Sequence, residues 1–334
     1  EHFYIVTEPV AGLTSMPVLR VPDECAYYKE DAGKILLGAF EPLAKPWGMN
    51  GIPEDFEFDQ LPEDFDHFEP ILEAAVNRLP MLAEAGIHTF FNGPESFTPD
   101  DAYHLGPAPG MDNVWVAAGF NSIGIQSAGG AGMALARWME DGEPPMDLGS
   151  VDIARMQPFQ NNARYLEARS VETLGLLYAD HFPYRQKATA RGVRRTPFHH
   201  QLLAEGAVMG ETAGWERANW FAKDGDDTSI EATETWDRKG PWEVRVKEEV
   251  EAVRDGVGVL DLCGFSRFTL SGEGAAEWLR GQIAGALPKA GRMNLGYFTD
   301  SRGRIVTEVT VIRWGEDDFW LMTAAVAQWH DFDF

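Results

Sequence analysis

The chain has 334 residues, 44% of them hydrophobic and 12% aromatic, which is enough for two domain-sized cores. Its longest apolar runs, Val114 to Gly119 and Val257 to Leu262, are far shorter than the roughly 20 residues that cross a bilayer, so no membrane partner is expected. With 53 acidic and 28 basic residues the formal charge is -25, which repels phosphate backbones and excludes nucleic acid as an expected partner.

Cysteine usage indicates the redox state of the compartment. The chain has two cysteines, Cys25 and Cys263, which excludes a disulfide framework and favours a reducing compartment, by default the cytoplasm.

The first residue is Glu1 and not Met, and the run from Tyr4 to Thr7 already has the pattern of a strand. We therefore expect the chain to be an internal piece of a longer protein.

The first part of the chain predicts a sheet followed by a helix. From His2 to Phe40, short runs of β-forming residues alternate with Pro and Gly, a pattern typical of an antiparallel sheet. A loop rich in Pro, Phe and acidic residues follows from Glu41 to Asp66. Apolar residues then recur at helical spacing from Phe68 to Leu79, and Pro80 ends that helix or begins another.

Two more strands are predicted at Ile87 to Phe91 and Val114 to Ala118. The second has no alternation, as in a strand that is buried on both faces. It leads into the segment from Gly119 to Gly132, with five glycines in fourteen residues, and a helix is predicted from Met133 to Met139. The order is strand, glycine-rich turn and helix.

The second half predicts another unit of mixed structure, so the fold class is α+β with α/β character. Its predicted elements are a helix at Asn162 to Asp180, a polar surface loop at Lys223 to Gly240, a helix at Trp242 to Asp255, a strand pair at Val259 to Leu270, a helix at Ala275 to Gln282, and a meander at Tyr297 to Thr323 that turns at Ser301 to Arg304.

The glycine-rich turn is the first candidate site. Glycines let the backbone approach a ligand, and the amides at a helix start offer donors to an anionic group. In a flavoenzyme that group would be the N1/C2 carbonyl edge of the flavin ring, which gains negative charge on reduction. The alternative is a helix of small residues that packs tightly on a sheet.

Other motifs are weaker evidence for a functional site. Gly272 to Glu277 follows a strand and opens a helix, but Glu277 stands where a dinucleotide loop needs a small residue, so an ordinary turn is expected. His199 and His200 are adjacent and point in different directions, which favours surface or supporting roles. The chain has no C-x-x-C, H-E-x-x-H or G-x-S-x-G motif, and no metal site is expected.

Five segments together resemble the sarcosine and dimethylglycine dehydrogenases, over essentially the whole chain. They are Gly93 to Asp100, Val116 to Ser122, Asp141 to Pro145, Gly192 to His199 and Gly214 to Phe221. The resemblance implies the distal part of a FAD-dependent amine oxidoreductase domain, a short connecting domain, and the start of a folate-binding domain similar to the glycine-cleavage T-protein. The corresponding ranges are 1–140, 141–196 and 197–334.

The resemblance also implies site residues. The family's active-site histidine lies in a His-x-Tyr motif, which His2 matches, and its tyrosine is the first of a Tyr-Tyr pair soon after a Leu-Arg, which is Tyr27 here. A substrate amine must be unprotonated before it gives up a hydride, and an imidazole and a phenol suit that task. Asp101 stands where relatives commonly have glycine, so strain is expected if φ is positive there. The flavin-contact residues carry over as Gly119, Phe120, Asn121, Ser122, Ile123 and Gly124.

The implied activity is FAD-dependent oxidation of sarcosine or dimethylglycine, with the released carbon passed to tetrahydrofolate and either oxygen or an electron-transfer flavoprotein as acceptor. One alternative is a non-catalytic regulatory subunit of the pyruvate dehydrogenase phosphatase type. Another is aminomethyl transfer alone, which leaves residues 1–145 without a purpose. Because the resemblance places the dinucleotide-binding fingerprint before Glu1, the piece itself is expected to be inactive and to bind FAD weakly.

Overall fold

The structure is a computed structural model that describes residues 1–237 and 239–334. Within these ranges the chain forms two five-stranded sheets, two two-stranded sheets and several helices. The predicted fold class, a mixture of α+β and α/β structure, is confirmed.

The first sheet occupies the start of the chain. Its elements are β1 (His2–Thr7), β2 (Leu19–Val21), β3 (Ala26–Asp31), β4 (Lys34–Ala39), the helix α1 (Phe65–Arg78) and β5 (Ile87–Gly93). The strand order is β2-β3-β4-β1-β5, and every neighbouring pair is antiparallel. The antiparallel sheet and the helix predicted for this part are therefore confirmed, and a 3-10 helix begins at Pro80.

The two faces of this sheet have different roles, because successive side chains of a strand point to opposite faces. On one face Phe3, Ile5 and Leu37 pack with Phe68 and Ile71 of α1 in a buried core. Burial of this apolar surface holds α1 against the sheet.

The other face carries a row of residues that are direct partners across all five strands. In order they are Arg20, Tyr27, Gly38, Tyr4 and Phe91. This face carries the candidate active site.

The glycine-rich segment differs from its prediction. The strands β6 (His104–Pro107) and β7 (Trp115–Ala118) form a two-stranded sheet, and α2 (Gly124–Asp141) follows. In β7, Ala117 and Ala118 are exposed, so the prediction of burial on both faces is wrong; within the described residues β7 pairs with β6 alone. The helix begins nine residues before Met133 because Ala131 and Ala134 pack on Leu105, and this packing outweighs the low helix propensity of glycine.

The helix α3 (Ala163–Leu177) lies in residues 141–196, called the connecting segment below, and approaches the first sheet. Asn162 caps it, and its side chain accepts from the amides of Arg164 and Tyr165. Gly175 lies against the backbone of Pro42, so closely that a Cβ would stand 2.1 Å from the Pro42 carbonyl oxygen. This approach fixes the residue that follows the helix, Tyr178, beside the first sheet.

The second half forms a small two-stranded sheet and the second large sheet. Its elements are α4 (His199–Ala204), β8 (Ala207–Thr212), β9 (Trp215–Phe221), α5 (Ile230–Thr233), α6 (Pro241–Asp255), β10 (Phe265–Ser271), α7 (Ala275–Gln282), β11 (Ile283–Ala284), β12 (Arg292–Thr299), β13 (Ile305–Arg313), β14 (Asp318–Ala324) and α8 (Gln328–Asp333). The order is β10-β14-β13-β12-β11, and α7 covers a core centred on Leu279, Val309 and Phe319.

Two predictions in this half need correction. The predicted strand pair at 259–270 contains one strand, β10. Val259 and Leu260 are exposed. The Asp261 side chain accepts from the Thr196 hydroxyl and the Cys263 amide, and these hydrogen bonds draw the segment away from the sheet. The predicted surface loop at 223–240 contains the short helix α5, and its residue Arg238 lies outside the described residues.

The approach of Gly175 to Pro42 generates a prediction. Gly175→Ala should lower the melting temperature, because relieving the overlap costs about 1–3 kcal/mol and outweighs the gain of about 1 kcal/mol in helix propensity. Gly281→Ala is the control, since nothing lies within 4 Å of its Cβ position and alanine should stabilise α7 slightly. Thermal melting of both variants measures the change in melting temperature. Equal changes in the two variants would contradict the packing argument.

Candidate active site

The two predicted catalytic residues lie around one aromatic ring. His2 opens β1 and Tyr27 lies on β3, two strands away. Phe40, the residue after β4, has its ring centroid 4.7 Å from that of His2 and 5.9 Å from that of Tyr27. The structure therefore brings His2 and Tyr27 together at one end of the sheet.

Tyr27 has its position because its cross-strand partner is a glycine. A Cβ on Gly38 would lie 2.0 Å from Cζ of Tyr27 and 2.1 Å from its hydroxyl oxygen, so the phenol ring lies directly over the glycine backbone. Burial, with a smaller contribution from neighbouring acidic groups, raises the pKa of Tyr27 to about 12. The phenol thus keeps its proton at neutral pH and acts as a hydrogen-bond donor.

A third aromatic residue comes from the connecting segment. Tyr178, just after α3, stacks on Phe40 with ring centroids 3.6 Å apart. The Arg20 guanidinium lies 4.1 Å from the centroid of the Tyr178 ring, and it donates to the Tyr178 carbonyl oxygen. In the described residues Arg20 forms no ion pair. Sequence reasoning missed Tyr178, since a separation of 138 residues from Phe40 gives no local signal.

Glu41 is the other residue that sequence reasoning missed. It follows Phe40 directly, and only 1% of it is exposed. Its Oε2 lies 3.8 Å from Nδ1 of His2, and across the described residues neither carboxylate oxygen has a hydrogen-bond partner. An acidic residue at the end of an apolar strand is usually solvated, so only the packing around it reveals its burial.

The predicted flavin-contact turn is strained and tightly held. Gly119, Asn121 and Ser122 all have positive φ, at 68°, 49° and 64°. The Asn121 side chain accepts from the Thr98 amide at 2.7 Å and donates to the Gly119 carbonyl at 2.9 Å. A Cβ on Gly119 would lie 2.6 Å from Cγ2 of Thr98, so only glycine fits there. Strain of this kind persists only where the surroundings enforce it, and it concentrates at functional sites.

The turn presents free hydrogen-bond donors. Ile123 is the N-cap of α2 and supplies no side-chain acceptor. Among the described residues, the amides of Gly124, Ile125 and Gln126 meet no backbone or side-chain acceptor. Uncapped amides at the positive end of a helix favour a group with negative charge. This donor set fits the carbonyl edge of a flavin ring.

One short segment links the turn to His2, one of the two predicted catalytic residues. His2 is the strand partner of Gly93, and three residues later the Ser96 carbonyl accepts from the Asn121 amide. Glu95, between them, is close enough for its charge to contribute to the raised pKa of Tyr27. The segment from Gly93 to Ser96 thus connects the strand partner of His2 to the predicted flavin-contact turn.

Asp101 has the strain that the sequence predicted. Its φ is +65°, in the region that favours glycine, and its carboxylate lies 3.4 Å from Nζ of Lys187. Burial raises the pKa of Asp101 to about 6, and the neighbouring Lys187 partly opposes that rise. The condition under which the sequence predicted strain at this position is therefore met.

Other candidate motifs are structural. At the helix start in 272–277, the Asp317 carboxylate accepts from the amides of Gly274 and Ala276, so a side chain of the protein occupies these donors. His199 is buried and His200 is exposed. Across the residues that the structure describes, no group of three His, Cys, Asp or Glu side chains could hold a metal ion, and no helix is long and apolar enough to span a membrane.

Three family models together match almost the entire chain. The model "FAD dependent oxidoreductase" matches residues 1–138, "FAD dependent oxidoreductase central domain" matches 141–196, and "GCVT N-terminal domain" matches 198–334. The flavin-site turn and both predicted catalytic residues fall within the first match.

Longer proteins are similar to the chain across these matches. The chain is 38% identical to 4-methylaminobutanoate oxidase (formaldehyde-forming) from Paenarthrobacter nicotinovorans, over 98% of this chain and 40% of that protein. It is 32% identical to the mitochondrial dimethylglycine dehydrogenase of Mus musculus, over 99% of this chain and 39% of that protein. It is 34% identical to the mouse mitochondrial pyruvate dehydrogenase phosphatase regulatory subunit, over 84% of this chain and 32% of that protein.

The chain thus spans about 40% of the length of the first two relatives. The family models match consecutive parts of the chain, and the relatives match across them. The chain belongs to the sarcosine and dimethylglycine dehydrogenase family of FAD-dependent oxidoreductases.

Proposed function

We propose that the protein containing this chain oxidises an N-methylated amino acid at its N-methyl group, with FAD as the oxidant. The observation that carries this proposal is that His2, which lies beside Phe40 with Tyr27, is linked through the segment from Gly93 to Ser96 to the turn before α2 and its free amides. Sarcosine and dimethylglycine are the proposed substrates, and the relative that acts as a 4-methylaminobutanoate oxidase supports a related amino acid as well.

Each part of the site has a proposed role. The imidazole of His2 accepts the proton that a substrate ammonium must lose, and the protonated phenol of Tyr27 donates a hydrogen bond that orients the amine. Bound FAD would supply the oxidising chemistry, as the acceptor of a hydride from the N-methyl group. The residues Gly119 to Gly124 would hold the carbonyl edge of its ring, where backbone donors would stabilise the negative charge of the reduced state.

Arg20 is the proposed anchor for the substrate carboxylate. It is the direct partner of Tyr27 on the neighbouring strand, so both side chains rise from the same face of the sheet. Its guanidinium stacks on Tyr178 and has no carboxylate partner among the described residues. A planar guanidinium binds a carboxylate through two parallel hydrogen bonds.

The fate of the released carbon forms a second part of the proposal. The match of residues 198–334 to the GCVT N-terminal domain supports transfer of that carbon to tetrahydrofolate, and an electron-transfer flavoprotein or oxygen would reoxidise the flavin. The two free cysteines support a reducing compartment such as the cytoplasm.

A non-catalytic regulatory role is the alternative function, because one relative is a phosphatase regulatory subunit. The presence of His2 and Tyr27 around Phe40, together with a turn that has free donors, favours the enzyme.

Anaerobic mixing of the FAD-loaded protein with substrate tests the function directly. Sarcosine, dimethylglycine or 4-methylaminobutanoate should bleach the flavin absorbance, whereas glycine, which has no methyl group, should not. If none of the three N-methylated compounds reduces the flavin, the proposal fails and the regulatory role takes its place.

A second prediction concerns Tyr27. Tyr27→Phe should slow flavin reduction by roughly 100-fold or more, the scale of a positioned proton-transfer or hydrogen-bonding group. Because its pKa is about 12, the phenol does not titrate between pH 6 and 10, so the inflections of the pH-rate profile should stay where they are in the unmodified enzyme. Stopped-flow reduction measures both effects.

Tyr28→Phe is the matched control for that experiment, because the adjacent Tyr28 side chain points into the core on the opposite face. It should retain the reduction rate. An equal loss of rate in both variants would show that Tyr27 acts through stability alone.

A third prediction concerns Arg20. Arg20→Gln should raise the KM of an N-methylated amino acid roughly 10- to 100-fold, since a charged hydrogen bond contributes about 1.5–3 kcal/mol. The KM of an N-methyl amine without a carboxylate should not change. Lys29→Gln, which removes an exposed cation from the neighbouring strand, serves as the control. Equal KM changes for both types of substrate would rule out carboxylate recognition by Arg20.

A further inference from the structure

Glu41 is a buried carboxylate whose two oxygen atoms form no hydrogen bond within the described residues. Buried polar groups in folded proteins are almost always paired, because an unpaired one loses its water contacts without replacement. Other buried carboxylates of the chain follow this rule: Glu216, 4% exposed, accepts from two guanidinium nitrogens of Arg191 and from the Gly192 amide. Glu41 therefore needs a specific explanation.

The nearest basic side chain is that of His2. Its Nδ1 lies 3.8 Å from Oε2 of Glu41, which is an ion-pair distance but longer than a hydrogen bond, and Nδ1 is itself buried without a partner. Two unsatisfied groups thus face each other, and a small rotation of either side chain would join them. Catalytic hydrogen bonds are often long in a ligand-free site and shorten when the substrate binds.

Other side chains near Glu41 cannot replace His2 in this pairing. Lys45 is bound to Asp64, and the guanidinium of Arg20 lies on Tyr178. Cys25 is a neighbour, but burial, together with the charge of Glu41, raises the pKa of its thiol, so it stays a neutral and weak donor.

We propose that Glu41 is a positioning residue for His2: its carboxylate accepts a hydrogen bond from the Nδ1–H of the imidazole, so that Nε2 is left free to face the substrate amine. This inference rests on the proposed function. When Nε2 takes the proton of the substrate ammonium, the imidazole becomes a cation, and the adjacent carboxylate stabilises that charge. Holding one tautomer in one orientation is a known role for a carboxylate behind a catalytic histidine.

The opposite effects of Glu41 on stability and activity separate this role from a structural one. Replacing an unpaired buried carboxylate with an apolar side chain of similar length removes a desolvation cost, so Glu41→Met should keep or raise the melting temperature. The same change should lower the flavin reduction rate at saturating substrate at least tenfold. The KM should change little, since Glu41 does not contact the substrate. Glu41→Gln retains a hydrogen-bond acceptor without the charge. Its flavin reduction rate should therefore lie between those of Glu41→Met and the unmodified protein.

Glu216→Met is the matched control, because Glu216 is equally buried but is paired. This change leaves Arg191 without its partner, so the melting temperature should fall. If Glu41→Met instead melts lower by a similar amount, Glu41 is a structural residue and the inference is overturned.

The tautomer of His2 gives a readout that does not depend on turnover. Nitrogen NMR of the holoenzyme labelled at histidine nitrogen, with His2→Gln to identify the signals, should show His2 protonated at Nδ1 in the unmodified protein. In Glu41→Met the signals should move to the other tautomer or to a mixture.

The same measurements separate the two proposals. Unchanged His2 signals and an unchanged reduction rate in Glu41→Met would overturn the role of Glu41 and leave the proposed function in place. If no N-methylated amino acid reduces the flavin of the unmodified protein, the proposed function fails, and an unaltered His2 tautomer in Glu41→Met would then overturn the pairing as well.

Discussion

The two-residue period of the strands in the first sheet is the constraint on which the site depends. It sends Phe3, Ile5 and Leu37 into the core beneath α1, and it sends Tyr4, Tyr27 and Arg20 to the opposite face. A shift of one residue in register would exchange the two sets. The hydrophobic core therefore fixes the register, and the register in turn fixes which side chains can meet a substrate.

Close approaches at two glycines complete the site. Gly38 leaves room for the ring of Tyr27 to lie on the sheet, and Gly175 lets α3 approach Pro42, which carries Tyr178 onto Phe40. Tyr178 from the connecting segment thus packs against the face that carries His2 and Tyr27. The proposed substrate site consequently depends on how α3 packs against the sheet.

Three destabilising features lie where the proposed chemistry takes place. The turn at 119–122 holds three residues at positive φ, the start of α2 lacks a side-chain cap, and Glu41 is buried without a hydrogen-bond partner in the described part of the chain. Each of these features is destabilising by itself. All three lie around the segments that end the first sheet, whereas the comparable helix start of α7 is capped by Asp317. The concentration of these features at one place supports a functional explanation.

The sequence by itself determined the fold class, the antiparallel first sheet, α1, α3, α6 and α7, and the family, because these follow from local periodicity, capping residues and motifs. It also indicated His2, Tyr27 and the glycine turn through the family resemblance. Only the tertiary structure decided that α2 begins at Gly124, that β7 is not buried, and that Glu41 and Tyr178 join the candidate site. At these positions burial and proximity depend on residues distant in the chain, which local sequence patterns do not reveal.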